Sequence, residues 1–126
     1  MAKILIVDDS DVLRLELRDV LTAGGHDVLE GVDGVDGAEK AAAHPDIHLI
    51  ITDLNMPQLD GISMCKRIRE NAALRRVPIF MLTTESSTEL KIAGKEAGVL
   101  VWIVKPFDGG KVLAAITKVL SMAKAA

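Results

Sequence analysis

Three aspartates, a threonine and a lysine are the residues of this 126-residue chain whose types and spacing could act together. Asp8 and Asp9 directly follow an apolar run at residues 4–7, and Asp53 closely follows another at 47–51. Thr83 closes a third run at 77–82, and Lys105 closes a fourth at 99–104. If these runs are parallel strands of one sheet, their carboxyl ends share a rim, and three carboxylates meet in one crevice. Like charges about 4 Å apart repel by roughly 4 kcal/mol per pair at an effective dielectric of 20. Helix capping does not require them, because Ser10 and Asp11 already supply a cap. A small cation relieves the repulsion. All-oxygen ligation by carboxylates, water and a carbonyl suits Mg²⁺, with Mn²⁺ as the alternative. Lys105 adds a compact positive charge able to hold a phosphoryl oxygen, and Thr83 adds a hydroxyl donor. A carboxylate nucleophile, a metal, a lysine and a hydroxyl around one point form a phosphoryl-transfer site.

The elements that must position these groups are legible as an alternation. Apolar runs at 4–7, 28–29, 47–51, 77–82 and 99–104 read as strands. All but the second are continuously Ile-, Val- and Leu-rich, as strands covered on both faces should be. The short second run reads as an edge strand. Between the runs, Ser10 can cap a helix whose Leu13, Leu17, Val20 and Leu21 form one stripe, ended by Gly24-Gly25. An alanine-rich helix is expected over 34–43, and a third carries Ile62, Cys65 and Ile68 inward. A fourth spans 87–97 before Gly98, and a fifth begins at Asp108 and buries Val112, Leu113, Ile116, Val119 and Leu120. The alternation predicts an α/β fold of the (βα)₅ type, a doubly wound open parallel sheet with strand order 2-1-3-4-5. Ligands bind such sheets where the strand order reverses, here between strands 1 and 3. A single domain over residues 1–126 is expected, with an ordered core over about 3–122, a fraying end beyond Met122 and no output domain.

Composition narrows the function. With 49% hydrophobic residues the chain can fold without staples, and Cys65, the lone cysteine, excludes an internal disulfide. Four apolar residues after Met1-Ala2-Lys3 are too few for a signal peptide or a membrane span, so a cytoplasmic, membrane-free protein is expected. A net charge of −3 and few aromatics argue against nucleic-acid binding. Arg67, Arg69, Arg75 and Arg76 read instead as a solvated helix face and the loop after it. Residues 31–37 lack the Gly-Lys-Ser/Thr of a Walker loop and the distal Glu of an EF-hand, and read as a turn into the second helix. His26, His44 and His48 lack helical metal spacing and are expected at surface or strand-edge positions.

Asp8-Asp9-Ser10, Asp53-Leu54-Asn55-Met56-Pro57 with Asp60-Gly61, Thr83, and Lys105-Pro106-Phe107 together resemble the response-regulator receiver family, over the whole chain and in order. That family has the flavodoxin-like receiver fold, whose strand order is the one derived above. The resemblance implies that Asp53 is the phosphoacceptor. It implies that Asp9, Asp53 and the backbone carbonyl of Asn55 ligate Mg²⁺, with Asp8 acting mainly through a metal-bound water. Lys105 would bind the phosphoryl oxygens, Thr83 would donate to the attached phosphoryl group, and Trp102 matches the aromatic switch position. Two residues depart from the family pattern. Thr84 stands where a smaller Ala or Gly is common, and Val101 stands before Trp102 where Gly is expected. Narrower access to the site and a different turn into strand 5 follow as expectations.

The resemblance implies a signal transducer and not an enzyme, one that promotes its own phosphorylation and dephosphorylation. Its donor would be a histidine kinase or phosphotransfer protein. The wording around Thr83–Glu85 and Trp102 is similar to the single-domain chemotaxis group, which implies an output protein such as the flagellar motor switch, an opposing phosphatase and a monomeric state. A phosphoryl sink or shuttle in a phosphorelay is the alternative role. An FMN-binding flavodoxin-like carrier fits poorly, because Asp8 and Asp9 would repel the flavin phosphate. A phosphatase with an aspartyl intermediate would need a substrate-closing domain. On the fourth helix Leu90 and Ile92 point about 200° apart. Ile92 is expected inward with Ala93, leaving Leu90 with Trp102 on a partner-facing surface.

Overall fold

The computed structural model describes residues 2–125, with side chains through residue 122. The elements run β1 (Lys3–Val7), α1 (Asp11–Ala23), β2 (Asp27–Gly31), α2 (Gly34–Ala43), β3 (Leu49–Thr52), α3 (Gly61–Arg69), β4 (Ile79–Thr83), α4 (Thr88–Glu96), β5 (Val99–Val104) and α5 (Gly109–Ala125). A short 3-10 turn at Ala72–Leu74 precedes β4. All neighbouring strands are parallel, in the order β2-β1-β3-β4-β5, so the expected (βα)₅ open sheet is the observed one. The end expected to fray beyond Met122 lies outside the described side chains.

Period-two alternation sorts the strand residues onto two faces. Ile4, Ile6, Leu49, Ile51, Phe80 and Leu82 pack with Leu17 and Leu21 of α1 and with Val112 and Ile116 of α5. Leu5, Val7, Ile50, Ile79 and Met81 face the other way, against Ala38 and Ala41 of α2 and Met64, Cys65 and Ile68 of α3. Both faces of the central strands are therefore covered, which is why their sequences are continuously apolar. The helices begin where side chains accept otherwise unpaired N–H groups. Ser10 caps α1, Asp33 α2, Asp60 α3 and Ser87 α4, each contributing about 1 kcal/mol. Asp108 accepts from the Lys111 N–H at 3.1 Å and starts α5.

Strand ends shift by a residue or two from the apolar runs. Ile47 is buried, yet its N–H bonds to the His44 carbonyl and it belongs to the loop before β3. The Val101 departure coincides with a bulge. Ile79 pairs with Val99 and Phe80 with Val101, leaving Leu100 unpaired and 59% exposed.

One orientation is reversed from expectation. Leu90 packs against the core beside Ala93, while Ile92 is 53% exposed. The inward residues of α4 are Leu90, Ala93, Gly94 and Ala97, spaced i, i+3, i+4, i+7, and that stripe leaves Ile92 on the far side. Gly94 is what admits it. A Cβ there would lie 2.9 Å from Cζ3 of Trp102, so α4 seats directly on the Trp102 ring.

Candidate functional site

The site forms where β1 and β3 end side by side. The Asp8 N–H bonds to the Gly31 carbonyl at 3.2 Å and the Asp53 N–H to the Val7 carbonyl at 2.9 Å, which sets both acids at one rim of the sheet. The Thr52 hydroxyl donates to the Asp53 carbonyl at 2.9 Å. Gly61, first residue of α3, lies so close that a Cβ would come within 2.1 Å of that same carbonyl oxygen. Only glycine permits this approach, which explains the Asp60-Gly61 pair in the sequence.

Oxygens of Asp8, Asp9 and Asp53 all lie within 4.8 Å of one another. Asp8 and Asp53 are buried and Asp9 is exposed. Lys105 reaches the group from β5, with Nζ 3.1 Å from Asp8 Oδ2 and 3.4 Å from Asp53 Oδ2. The remaining oxygens of the two buried acids accept backbone N–H groups: Asp8 Oδ1 from Ser10 at 2.8 Å and Asp53 Oδ1 from Leu54 at 2.7 Å. Burial raises the pKa of Asp8, and Asp53 beside it pushes the same way. The Ser10 N–H and Lys105 oppose the rise without cancelling it. One lysine thus faces three carboxylates, and the ionised set retains an excess of negative charge. Hard oxygen donors in that number, converging on one open point, fit a small divalent cation.

Thr83 is fully buried at the end of β4, and its carbonyl accepts the Lys105 N–H at 2.8 Å. Its hydroxyl accepts the Glu85 N–H at 3.3 Å. The Glu85 carbonyl in turn accepts from Nε1 of Trp102 at 2.9 Å. One residue, Glu85, therefore links Thr83 to Trp102. Asn55 and Thr84 are exposed on the loops that flank the rim. Leu90, expected on a partner surface, does not join the site or an exposed patch.

Two arginines escaped the reading of the sequence. Arg69, placed on a solvated face, donates to the carbonyls of Leu74, Val77 and Gly98 and ties α3 to the turns before β4 and β5. Arg14 is buried in α1 in line with Leu17 and Leu21. An arginine at i, i+3, i+7 spacing with two core leucines was the available signal. Cys65 lies in the core as expected, and burial pushes its thiol up to about 12, as for an inert residue. His26 and His48 accept the N–H groups of Ala2 and Lys3 at the opposite edge of the sheet.

The response regulator receiver domain matches residues 4–117. The chain belongs to the response regulator receiver family, and within it the sequence is CheY-like. It is 41% identical to chemotaxis protein CheY1 of Helicobacter pylori over 106 residues, 83% of this chain and 86% of that protein. The structure is similar to chemotaxis protein CheY4 of Vibrio cholerae, with a TM-score of 0.89 and 37% identity over 94% of this chain and 98% of that one. It is also similar to a chain of the CheX–CheY–BeF₃–Mg²⁺ complex from Borrelia burgdorferi, at TM-score 0.87 and 29% identity over 94% and 88%. Receiver domains bind Mg²⁺ in an acidic pocket, and Asp8, Asp9 and Asp53 are grouped here at the carboxyl rim of the sheet. Among the described residues, no helix is long and apolar enough to cross a membrane.

Proposed function

We propose that this protein is a cytoplasmic, stand-alone chemotaxis response regulator that takes a phosphoryl group from phosphohistidine onto Asp53 and thereby changes its affinity for an output protein. The observation that carries the reading is the convergence of Asp8, Asp9, Asp53 and Lys105 at one end of the sheet. The match to CheY1 over most of the length of that protein supports the chemotaxis role.

In this reading an Asp53 carboxylate oxygen attacks the phosphorus of a phosphohistidine in line, and the P–N bond breaks as the imidazole leaves. Asp9, Asp53 and the Asn55 carbonyl would hold Mg²⁺, with Asp8 acting indirectly, and the ion would supply charge neutralisation for the phosphoryl oxygens. Lys105 exchanges its contact with Asp53 for one with a phosphoryl oxygen. The acyl phosphate formed offers a charged acceptor to the Thr83 hydroxyl, worth about 1.5–3 kcal/mol. Moving toward it would draw the Thr83 hydroxyl away from the Glu85 N–H, whose 3.3 Å bond it now accepts, and loosen the anchor of Trp102. Trp102 lies on β5 between exposed Leu100 and Val104. An output protein such as the flagellar motor switch would read that edge strand, and a phosphatase would reset it. The CheY of Borrelia burgdorferi, in complex with CheX, BeF₃ and Mg²⁺, supports both the metal and a protein partner.

Incubation with Mg²⁺ and a small phosphoramidate, followed by intact mass measurement, tests the proposal. One phosphoryl mass should be gained, and EDTA or Asp53→Asn should abolish the gain. Equal labelling in Asp53→Asn would refute it.

A further inference from the structure

We infer that Arg14, through the peptide plane between Asp8 and Asp9, is the residue that aims the Asp9 carboxylate into the metal pocket. Asp9 is exposed, and among the described residues its side chain has no hydrogen bond or ion pair, so no side-chain contact orients it. Its direction is set by its backbone. The carbonyl of the Asp8–Asp9 peptide lies where the chain leaves β1, one position past the last strand residue. There it accepts a buried hydrogen bond from Nη1 of Arg14 at 2.6 Å. The Asp8 N–H on the other side is held by Gly31, so the backbone of Asp8 is fixed at both ends.

Arg14 is itself held on several sides. Its residue is only 8% exposed, its Nε donates to Glu30 Oε1 of β2 at 3.2 Å, and its Nη2 pairs with Asp11. A buried guanidinium is costly unless paired, and two carboxylates plus one carbonyl satisfy its fork. Those carboxylates offset its charge, so its effect on the site is geometric and not electrostatic. Behind the rim, a cavity of about 10 Å³ lined by Asp8, Arg14, Thr52 and Asp53 leaves room for little more than one water. Arg14 therefore packs directly beneath the acids it positions. Its role parallels that of residues beyond the ligands of metal sites, whose loss lowers metal affinity by about 10–100-fold.

The inference rests on the metal-dependent reading above, and its test separates the two. Mg²⁺ affinity is measured by calorimetry at a temperature where each variant is folded, and amide exchange at Asp9 and Ser10 is followed by NMR in EDTA. Arg14→Met should weaken Mg²⁺ binding by about tenfold and speed exchange of both amides. Phosphoryl uptake should recover at saturating Mg²⁺. Arg14→Lys, which keeps one donor for the Asp8 carbonyl, should restore most of the affinity. Should Arg14→Met fail to fold, Glu30→Gln, which frees one side of the guanidinium, should give the same changes in smaller measure. Unchanged affinity and exchange in Arg14→Met, or in Glu30→Gln where only that variant folds, overturns the inference. Failure of Arg14→Lys to recover any affinity also overturns it. If the wild-type protein binds no Mg²⁺, the metal reading falls, and the exchange measurement alone decides whether Arg14 holds the Asp8–Asp9 peptide.

Discussion

Asp8 shows in one side chain what assembling this site costs the fold. Burial lifts its pKa above the ordinary value of 3.8, and the Ser10 N–H and Lys105 only partly offset the rise. The native state thus binds the Asp8 proton more tightly than the unfolded chain does. The associated stability is fully present below the unfolded value and is lost as pH rises through the higher native value. Near neutral pH, the ionised carboxylate opposes folding until a cation joins it. In EDTA at about pH 7, Asp8→Asn should therefore melt a few degrees above the wild type, and the gap should narrow as pH falls toward about 4. Thermal melts across that range check this, and a lower melting temperature for Asp8→Asn at neutral pH would contradict it. Site residues of this kind were legible in the sequence because they follow apolar strands directly. Arg14 was not, because an arginine on an amphipathic helix is normally taken for solvent-facing even in line with Leu17 and Leu21. Its partners Glu30 and the Asp8 carbonyl are distant or backbone groups that the spacing does not show.

Elements were legible where one period dominated. The four continuous apolar runs and the capped helices lie where the sequence puts them, within a residue or two. The face of α4 was not. Ala93, Gly94 and Ala97 continue the stripe of Leu90, but residues so small give a weak apolar signal beside the two bulky side chains, Leu90 and Ile92. The contact that decides between them comes from β5, where Trp102 meets Gly94. Register to the partner strand, with Trp102 opposite Met81, is tertiary information that no period within α4 contains. The same contact makes a prediction. Gly94→Ala should favour the helix by about 1 kcal/mol on propensity alone, yet its Cβ would stand 2.9 Å from the indole. The ring should swing outward, break its bond to the Glu85 carbonyl and shift Trp102 emission to the red without any phosphorylation. Trp102 is the only tryptophan, so the emission reports this site alone. An unchanged spectrum with an intact fold would show that the helix, and not the ring, gives way.

On the scale of the whole molecule, the sheet separates its tasks along and across its strands. Carboxylates and Lys105 occupy the carboxyl rim, while His26 and His48 close the opposite edge at Ala2 and Lys3. The edge strand β5 leads into Lys105 at the site and along its length brings Leu100 and Val104 to the surface, with Trp102 half-buried under α4 between them. The lysine at the rim and the tryptophan at the edge thus sit within three residues of one another, and Thr83 and Glu85 link the rim to the indole. The proposed function requires that a phosphoryl group arrive at a single carboxylate. Treating the phosphorylated protein with borohydride reduces an aspartyl phosphate to homoserine, and peptide mass spectrometry then locates it. The account predicts homoserine at position 53 alone, present with Mg²⁺ and absent with EDTA. Conversion at Asp8 or Asp9 instead, or equal conversion of Asp53 with EDTA, would contradict it.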